Sequence, residues 1–470
     1  MSELEASGSS GRVSLAEPEH KRIDRLMDRG DELRAQMERG DAVALLGLTA
    51  VRKHRTEYNI ARDKSLSTDD AAKQPAPATA YIFHSLKHPS EVYMLRRVYG
   101  RLFLFLSAYT PRQKRHEALC QRIKRTSKDV SEFHEDANRL IERDEKEADN
   151  HFGQNVRDTF PLADVFVDAR EPRELRSQID RAVRLVFGHP FVTPTADEYA
   201  MFHAQAAAMR SADLSRQVGA VITNPEGEVI ATGCNEVPKI GGGAVWEGTA
   251  EDAEIDYRDF KMGFDSSARW KQKIFTEIFE RLRSEGWLSP EKSKLDLDQL
   301  VDLALNGKGA PFKGTRAAGL LEFGRVVHAE MHALTEAARR GQATRDAILY
   351  CNTFPCHMCA RHIIASGIRR VVYILPYPKS LAKELYANEI QVDHERISSI
   401  RSVTFESFVG VSPNRYLSLF EMPERRKEEN GFSVEWDPGN AIPKVHEDIS
   451  YTKREIEELH DLSEYVRGLN

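Results

Sequence analysis

The chain is poor in cysteine and tryptophan, with five and four of them among 470 residues. Five widely spread cysteines, an odd number, exclude a disulfide framework and suit a reducing compartment. No apolar run reaches the length of a membrane span. The opening MSELEASGSSGRVSLAEPEH lacks the charged-then-apolar order of a secretory signal. Both absences point to a cytoplasmic protein with no membrane partner. Excess positive charge is missing too: 67 Lys and Arg against 73 Asp and Glu give a net charge of -6, so nothing draws the whole chain to nucleic acid. A phosphate-cradling G-x-x-x-x-G-K-[ST] is also absent. Gly8 to Arg12 is too short and has no lysine. NGKGAPFKGT, from Asn306 to Thr315, has its glycines and lysines in the wrong places and reads as a surface loop.

What is present is a two-domain alternation of helices and strands. Residues 1–20 are Ser, Gly and Glu rich and read as disordered. A charged helical pattern runs from Arg22 to about Arg55, and residues 63–79 read as a loop. TAYIFHSL reads as a buried strand, HPSEVYMLRRVYG as a helix and RLFLFLSAY as a second strand. PRQKRHEALCQRIKR returns to helix, and DVFVDA (Asp164 to Ala169) is a short strand. This alternation predicts a parallel α/β sheet for residues 21–193. GHPFVTPT, with two prolines, is the linker. The second domain, 194–425, opens on the helix ADEYAMFHAQAAAMRSAD. The strands VGAVIT and EVIATGCN follow, joined by an NPEG hairpin turn. A charged insertion occupies about 239–324. Residues 426–470 form a polar tail with one helix, Ile449 to Leu469.

Two stretches carry chemistry, VVHAEMHAL (Val326 to Leu334) and NTFPCHMCARH (Asn352 to His362). Hydrolytic zinc takes three protein ligands and keeps its fourth position for water. His328, Cys356 and Cys359 supply one nitrogen and two thiolates. Cys356 and Cys359, three apart, are neighbours on one helix face, and Pro355 marks the helix entry. Thiolates are favoured at a helix N-terminus. Glu330, two residues after His328, is placed as a proton carrier beside the water rather than as a fourth ligand. The order excludes H-E-x-x-H, because Ala329 stands where that motif needs Glu. A closed structural site with Cys351, His332, His357 or His362 as fourth ligand is the alternative reading.

The H-x-E and P-C-x-x-C pair is the signature of zinc nucleobase deaminases. Residues from Thr195 to about Phe420 resemble deoxycytidylate deaminases of the cytidine deaminase superfamily, through SRQVGAVI, TGCNEVP, GRVVHAEMHAL, LYCNTFPCHMC, SGIRRVVYI and PYPKSLA. The resemblance implies a three-layer α/β/α domain holding Zn2+ on His328, Cys356 and Cys359. Glu330 would shuttle protons while an activated water attacks C4 of cytosine and ammonia leaves. Asn235 matches the Asn that contacts the sugar, with a strand-end turn as its plain structural reading. Ser215, Arg216 and Gln217, and also Lys379 and Arg325, are candidates for the substrate phosphate. Tyr350 and Tyr377 are candidates for stacking on the base.

SLKHPSEVYMLRRVYG, LFLFLSAYTPRQKR and RDEKEADNHFGQNVRDTFPLADVFV resemble the P-loop-kinase-like domain of bacterial two-domain anti-phage deoxycytidylate deaminases. Here the phosphate loop is absent, so that domain reads as a scaffold or a sensor, with Arg143 and Arg157 as lid-like or merely solvated arginines. The resemblance implies a deoxycytidine nucleotide substrate, dCMP or dCTP, and depletion of that pool during phage infection. It also implies a nucleotide effector, a regulatory RNA or protein, and a homo-oligomer. A deaminase editing tRNA or single-stranded DNA, and a non-catalytic binding module with structural zinc, are the competing functions.

Overall fold

The structure, a computed structural model, describes residues 17–126, 133–145, 147, 150–247, 256–306, 309–319, 323–377, 380–393, 402–422, 425–444 and 451–468. In chain order the longer elements begin with α1 (Glu19–Gln36), α2 (Ala42–Arg62), α3 (Pro89–Tyr99), β1 (Leu106–Tyr109), α4 (Arg112–Thr126), α5 (Phe133–Glu145), β2 (Val165–Asp168) and α6 (Pro172–Val186). There follow α7 (Ala196–Ala208), β3 (Gly219–Thr223), β4 (Val229–Cys234), α8 (Ser266–Ser284), α9 (Leu297–Leu305), α10 (Ala329–Arg339), β5 (Ile348–Thr353) and α11 (His357–Ala365). The last are β6 (Arg370–Leu375), β7 (Ile390–Val392), β8 (Val403–Ser407), β9 (Gly410–Val411) and α12 (Tyr451–Gly468). The chain divides into two units, one of residues up to Thr193 together with those from Val409 on, the other Pro194–Phe408. The expected boundary at residue 425 and the expected separate tail therefore differ from the structure, where everything from Val409 on joins the first unit.

The first unit holds a three-stranded sheet in the order β1-β2-β9. β1 and β2 run parallel, but β9 joins β2 antiparallel, so the sheet is mixed rather than wholly parallel. Val165 and Val167 of β2 pack with Ala182 and Leu185 of α6 and with Val411 and Leu419. TAYIFHSL is not a strand, and Ile82 is 91% exposed. The segment instead lies on helices: Phe83 and Leu86 pack against the cluster of Leu45, Leu48 and Leu95. Gly47 makes that approach possible, since a Cβ there would stand 2.6 Å from the Phe83 ring. The cluster also receives Leu462 of α12. Nearby, the buried Arg55 of α2 forms a two-pronged ion pair with Glu455, which also accepts from Tyr99 Oη at 2.8 Å. The expected disordered stretch 1–20 ends early, because α1 already begins at Glu19; residues 1–16 lie outside the described residues.

The second unit is built on a six-stranded sheet, β4-β3-β5-β6-β8-β7. β3 runs antiparallel to β4 and β5, and the strands from β5 to β7 are parallel. The hairpin forms at NPEG, where Gly227 takes φ 94° and Asn224 Oδ1 accepts the Glu228 amide. The parallel half needs a crossover, which α11 supplies between β5 and β6. Strand alternation sorts the helices to two faces. Ala220, Ile222, Leu349 and Cys351 pack with residues of α10 and α11, while Gly219 and Tyr350 face α7. α7 itself starts with a capping box of Thr195 and Glu198. Within the insertion, α8 and α9 have a small core of their own around Phe275, Phe279 and Leu300.

Two glycines set the spacing of the layers. A Cβ on Gly219 would stand 2.0 Å from Ala204 O of α7, and one on Gly233 of β4 would stand 2.4 Å from both Ala329 O and Ala333 N of α10. Those neighbours are backbone, so neither can swing aside. Gly233→Ala is expected to cost about 1–3 kcal/mol, the range for overpacking a fitted core. Urea unfolding followed by far-UV circular dichroism would show it, with Gly319→Ala, where a Cβ meets open space, unchanged within about 0.5 kcal/mol.

Candidate active site

The candidate site is made by the starts of two helices. His328 is the N-cap of α10, with φ -64° and ψ 153°, and its carbonyl accepts the His332 amide at 2.8 Å. Cys356 is the N-cap of α11, and its carbonyl accepts the Ala360 amide at 2.9 Å. Neither side chain makes a capping hydrogen bond, and both turn toward a shared centre. Cys359 is the third residue of α11 and turns toward the same point. The approach to His328 is held by a short antiparallel bridge, Glu236 to Val327, through which the insertion leaves and re-enters the fold. The approach to Cys356 is held by Phe354 N donating to Leu375 O and Ser380 Oγ donating to Pro355 O.

His328 Nδ1 stands 3.3 Å from Cys356 Sγ and 3.4 Å from Cys359 Sγ, and the three ligand atoms lie within 4.8 Å of one another. A tetrahedral zinc with Zn–N about 2.0 Å and Zn–S about 2.3 Å keeps such atoms about 3.5 Å apart. The trio therefore fits that ion. Among the described residues no fourth His, Cys, Asp or Glu atom joins the group. Cys351 is in the core, its thiol pushed well above the ordinary range by burial. His332 is buried with Nδ1 2.9 Å from Cys234 O, and desolvation keeps its ring neutral. His362 is exposed, and His357, half-buried, lies outside the trio. Three protein ligands and an open fourth position are the arrangement of hydrolytic rather than structural zinc.

Glu330, in the first turn of α10, is 3% exposed and accepts from Cys359 Sγ at 3.4 Å. Burial raises its pKa, so it can hold a proton nearer neutrality than an ordinary carboxyl. Without metal the trio shares protons. Hydrogen bonds from Cys359 and His328 pull Cys356 down to about 4, while the Cys356 thiolate lifts His328 to about 9 and keeps Cys359 protonated.

The other predicted site residues fall into distinct places. Asn235 is buried, and its side chain clamps the chain ahead of β3: Oδ1 accepts from Val218 N and Nδ2 donates to Arg216 O, each at 2.7 Å. Gln217 Nε2 donates to Ser211 O, and Ser215 N donates to Asp213 Oδ1. The Arg216 side chain is exposed and close enough to Tyr377 to lower its pKa, partly offsetting burial and Cys356, which raise it. Asp213, not singled out from sequence, adds to the rise at His328. Tyr377, Arg216 and Asp213 thus belong to the neighbourhood of the trio. Tyr350 does not: it is fully buried on the other face and donates to Asp197 of α7 at 2.7 Å. Arg325 is paired with Asp259, and Lys379 lies outside the described residues. In the first unit Arg143 is held by Asp28, Asp31 and Glu147.

Residues 194–375 match the family described as the cytidine and deoxycytidylate deaminase zinc-binding region. A Drosophila melanogaster protein named "Probable deoxycytidylate deaminase" is 24% identical over 233 residues, 48% of this chain and 85% of that protein. The deoxycytidylate deaminase of Enterobacteria phage T2 is 41% identical over 54 residues, 12% of this chain and 29% of the phage protein. The cyanophage S-TIM5 dCMP deaminase, solved in complex with dCMP and dUMP, aligns with 46% of this chain and 98% of its own at 16% identity. Its TM-score of 0.25 leaves that superposition without weight for the site. The match establishes a cytidine/deoxycytidylate deaminase domain with Zn2+ as its cofactor. No described helix is long and apolar enough to cross a membrane.

Zinc binding must displace the protons on His328 and Cys359, so affinity should fall as the pH falls. Each displaced proton contributes about tenfold per pH unit. Competition with a chelator at pH 6, 7 and 8 is expected to give a slope approaching two protons.

Proposed function

We propose that this hydrolytic deaminase, with its cytidine/deoxycytidylate deaminase domain at residues 194–375, converts deoxycytidine nucleotides (dCMP or dCTP) to deoxyuridine nucleotides. One observation carries the reading: a His-Cys-Cys trio with an open fourth position and a buried carboxyl beside it. His328, Cys356 and Cys359 would hold the zinc, which when bound supplies Lewis acidity toward a water in that position. Glu330 takes a proton from the attacking water, delivers it to ring N3, and passes a further proton to the departing ammonia. C4 gains an oxygen and loses its amine. The first-turn position on α10 suits the carboxylate form of Glu330, and burial suits its protonated form, so both states of the shuttle are accessible.

Arg216 is the residue best placed to meet a phosphate, being exposed and near Tyr377. Tyr377 remains the candidate for the base. Asn235 serves the sugar in this reading while holding the backbone that carries Arg216. Depletion of deoxycytidine nucleotides during phage infection is the biological role we assign. Residues 21–193 would be a P-loop-kinase-like domain without its phosphate loop, and the enzyme a cytoplasmic homo-oligomer answering to a nucleotide effector or to a regulatory RNA or protein. The antiviral role and the regulation rest on sequence resemblance.

The test is a panel of dCMP, dCTP, cytidine and cytosine-bearing oligonucleotides, with uracil product read by chromatography. Turnover of nucleotides is expected; turnover of oligonucleotides alone would refute the proposal. Glu330→Gln should retain zinc by metal analysis and lose about 10²–10⁴-fold in rate, the scale of a lost general acid–base.

A further inference from the structure

The first unit contains a second convergence of metal-binding atoms. His116 and Cys120 are four apart on α4 and share a face. His134 is the second residue of α5. α4 and α5 meet through a buried cluster of Cys120, Ile123, Ala137 and Leu140. Their rings stack with centroids 5.3 Å apart and planes 22° from parallel. Cys120 Sγ lies 3.7 Å from His116 Nε2 and 3.6 Å from His134 Nδ1, and one ligand atom from each of the three residues falls within a common 4.8 Å.

Hydrogen bonds contribute to this gathering: the Cys120 thiol reaches the Phe133 carbonyl at 3.6 Å, and His116 Nε2 lies 3.3 Å from His134 O. A His116 nitrogen and His134 Nδ1 face the sulfur as well. Those nitrogen-to-sulfur separations lie close to the edge of a zinc tetrahedron, about 3.5 Å. They are also near the values in the deaminase trio. A set of two imidazoles and one thiolate suits a borderline divalent ion, and zinc imposes no other geometry on it.

We propose that His116, Cys120 and His134 bind one Zn2+ that ties α4 to α5, with water in the fourth position. On binding, Cys120 releases its thiol proton to solvent, both imidazoles bind neutral, and no electron is transferred. Cys120 is buried, His116 half-buried and His134 exposed, so the ion reaches the site from solvent without opening the core. Among the described residues no carboxylate joins the group, in contrast to Glu330 at the deaminase site. The site lacks a proton carrier and its role is to hold two helices together.

Metal analysis of the full chain, loaded with Zn2+ and desalted, decides the matter. Wild type is expected to hold two zinc ions. His134→Gln and Cys120→Ser should each hold one and release ammonia from substrate at the wild-type rate. Cys356→Ser should also hold one, and lose activity. Cobalt loaded into Cys356→Ser should show a thiolate-to-metal absorption band that a further Cys120→Ser change removes. One zinc in wild type and none in Cys356→Ser would overturn the assignment. So would an unchanged metal count in His134→Gln, a variant at an exposed position that keeps the test independent of whether Cys120→Ser folds.

Discussion

The closeness of α10 to β4 governs the catalytic unit. Gly233 has no side chain, and the first turns of α10 rest directly on the strand there. His328 and Glu330 project from the turn that this contact positions. Immediately after Gly233, the Cys234 backbone is bonded to His332, and Asn235 turns to clamp Arg216 and Val218. One side-chain-free strand position therefore sets the depth of Glu330, the direction of His328 and the route of the chain toward Arg216. α11 needs no such device, because its first residues hang from a parallel pair of strands, β5 and β6.

The electrostatics of the trio follow from placing ionisable groups at two helix starts inside a low-dielectric wall. Each helix N-terminus favours a negative group, and burial disfavours any charge left alone. Without metal the conflict is resolved by proton sharing between Cys356, Cys359 and His328. A divalent ion replaces those protons and lets both thiols ionise at once. Bound zinc also acts on Glu330 against the effect of burial, since its positive charge favours the carboxylate.

The zinc trio and its carboxyl were legible because their meaning lies in short spacings. Pro before Cys-x-x-Cys forecasts a helix entry, and the two-residue step from His328 to Glu330 sets the carboxyl apart from the ligand set. The NPEG hairpin was legible for the same reason. What escaped depends on partners distant in the chain. TAYIFHSL has strand-like residues but no edge to pair with, and Phe83 finds a helix groove over Gly47 instead. Val411 completes the first sheet from more than two hundred residues beyond β2, through a strand of two residues that carries no periodicity. Tyr350 looked available for stacking, but alternation along β5 turns it to α7, while its neighbour Cys351 faces α10. His116 and His134 lie within two ordinary charged helices, and only the packing of α4 on α5 gives them a common centre.

The same distance effect makes the two units unequal as folding problems. The deaminase unit is one continuous stretch, Pro194–Phe408, and its parallel strands are linked by local crossovers. The first unit is discontinuous: β9 and α12 must return after the whole deaminase unit has been passed. Until they do, β2 has an open edge and Arg55 lacks its partner Glu455. In the folded chain the pair is buried, and breaking it by removing either partner would be costly. A long loop closure of this kind adds little cost in stability, because closure entropy grows only with the logarithm of length, but it delays assembly. Folding of the deaminase unit first shortens the effective loop by replacing flexible chain with a compact body. Chain continuity thus favours the second unit as the earlier folding unit, with the first completed only when β9 and α12 join it.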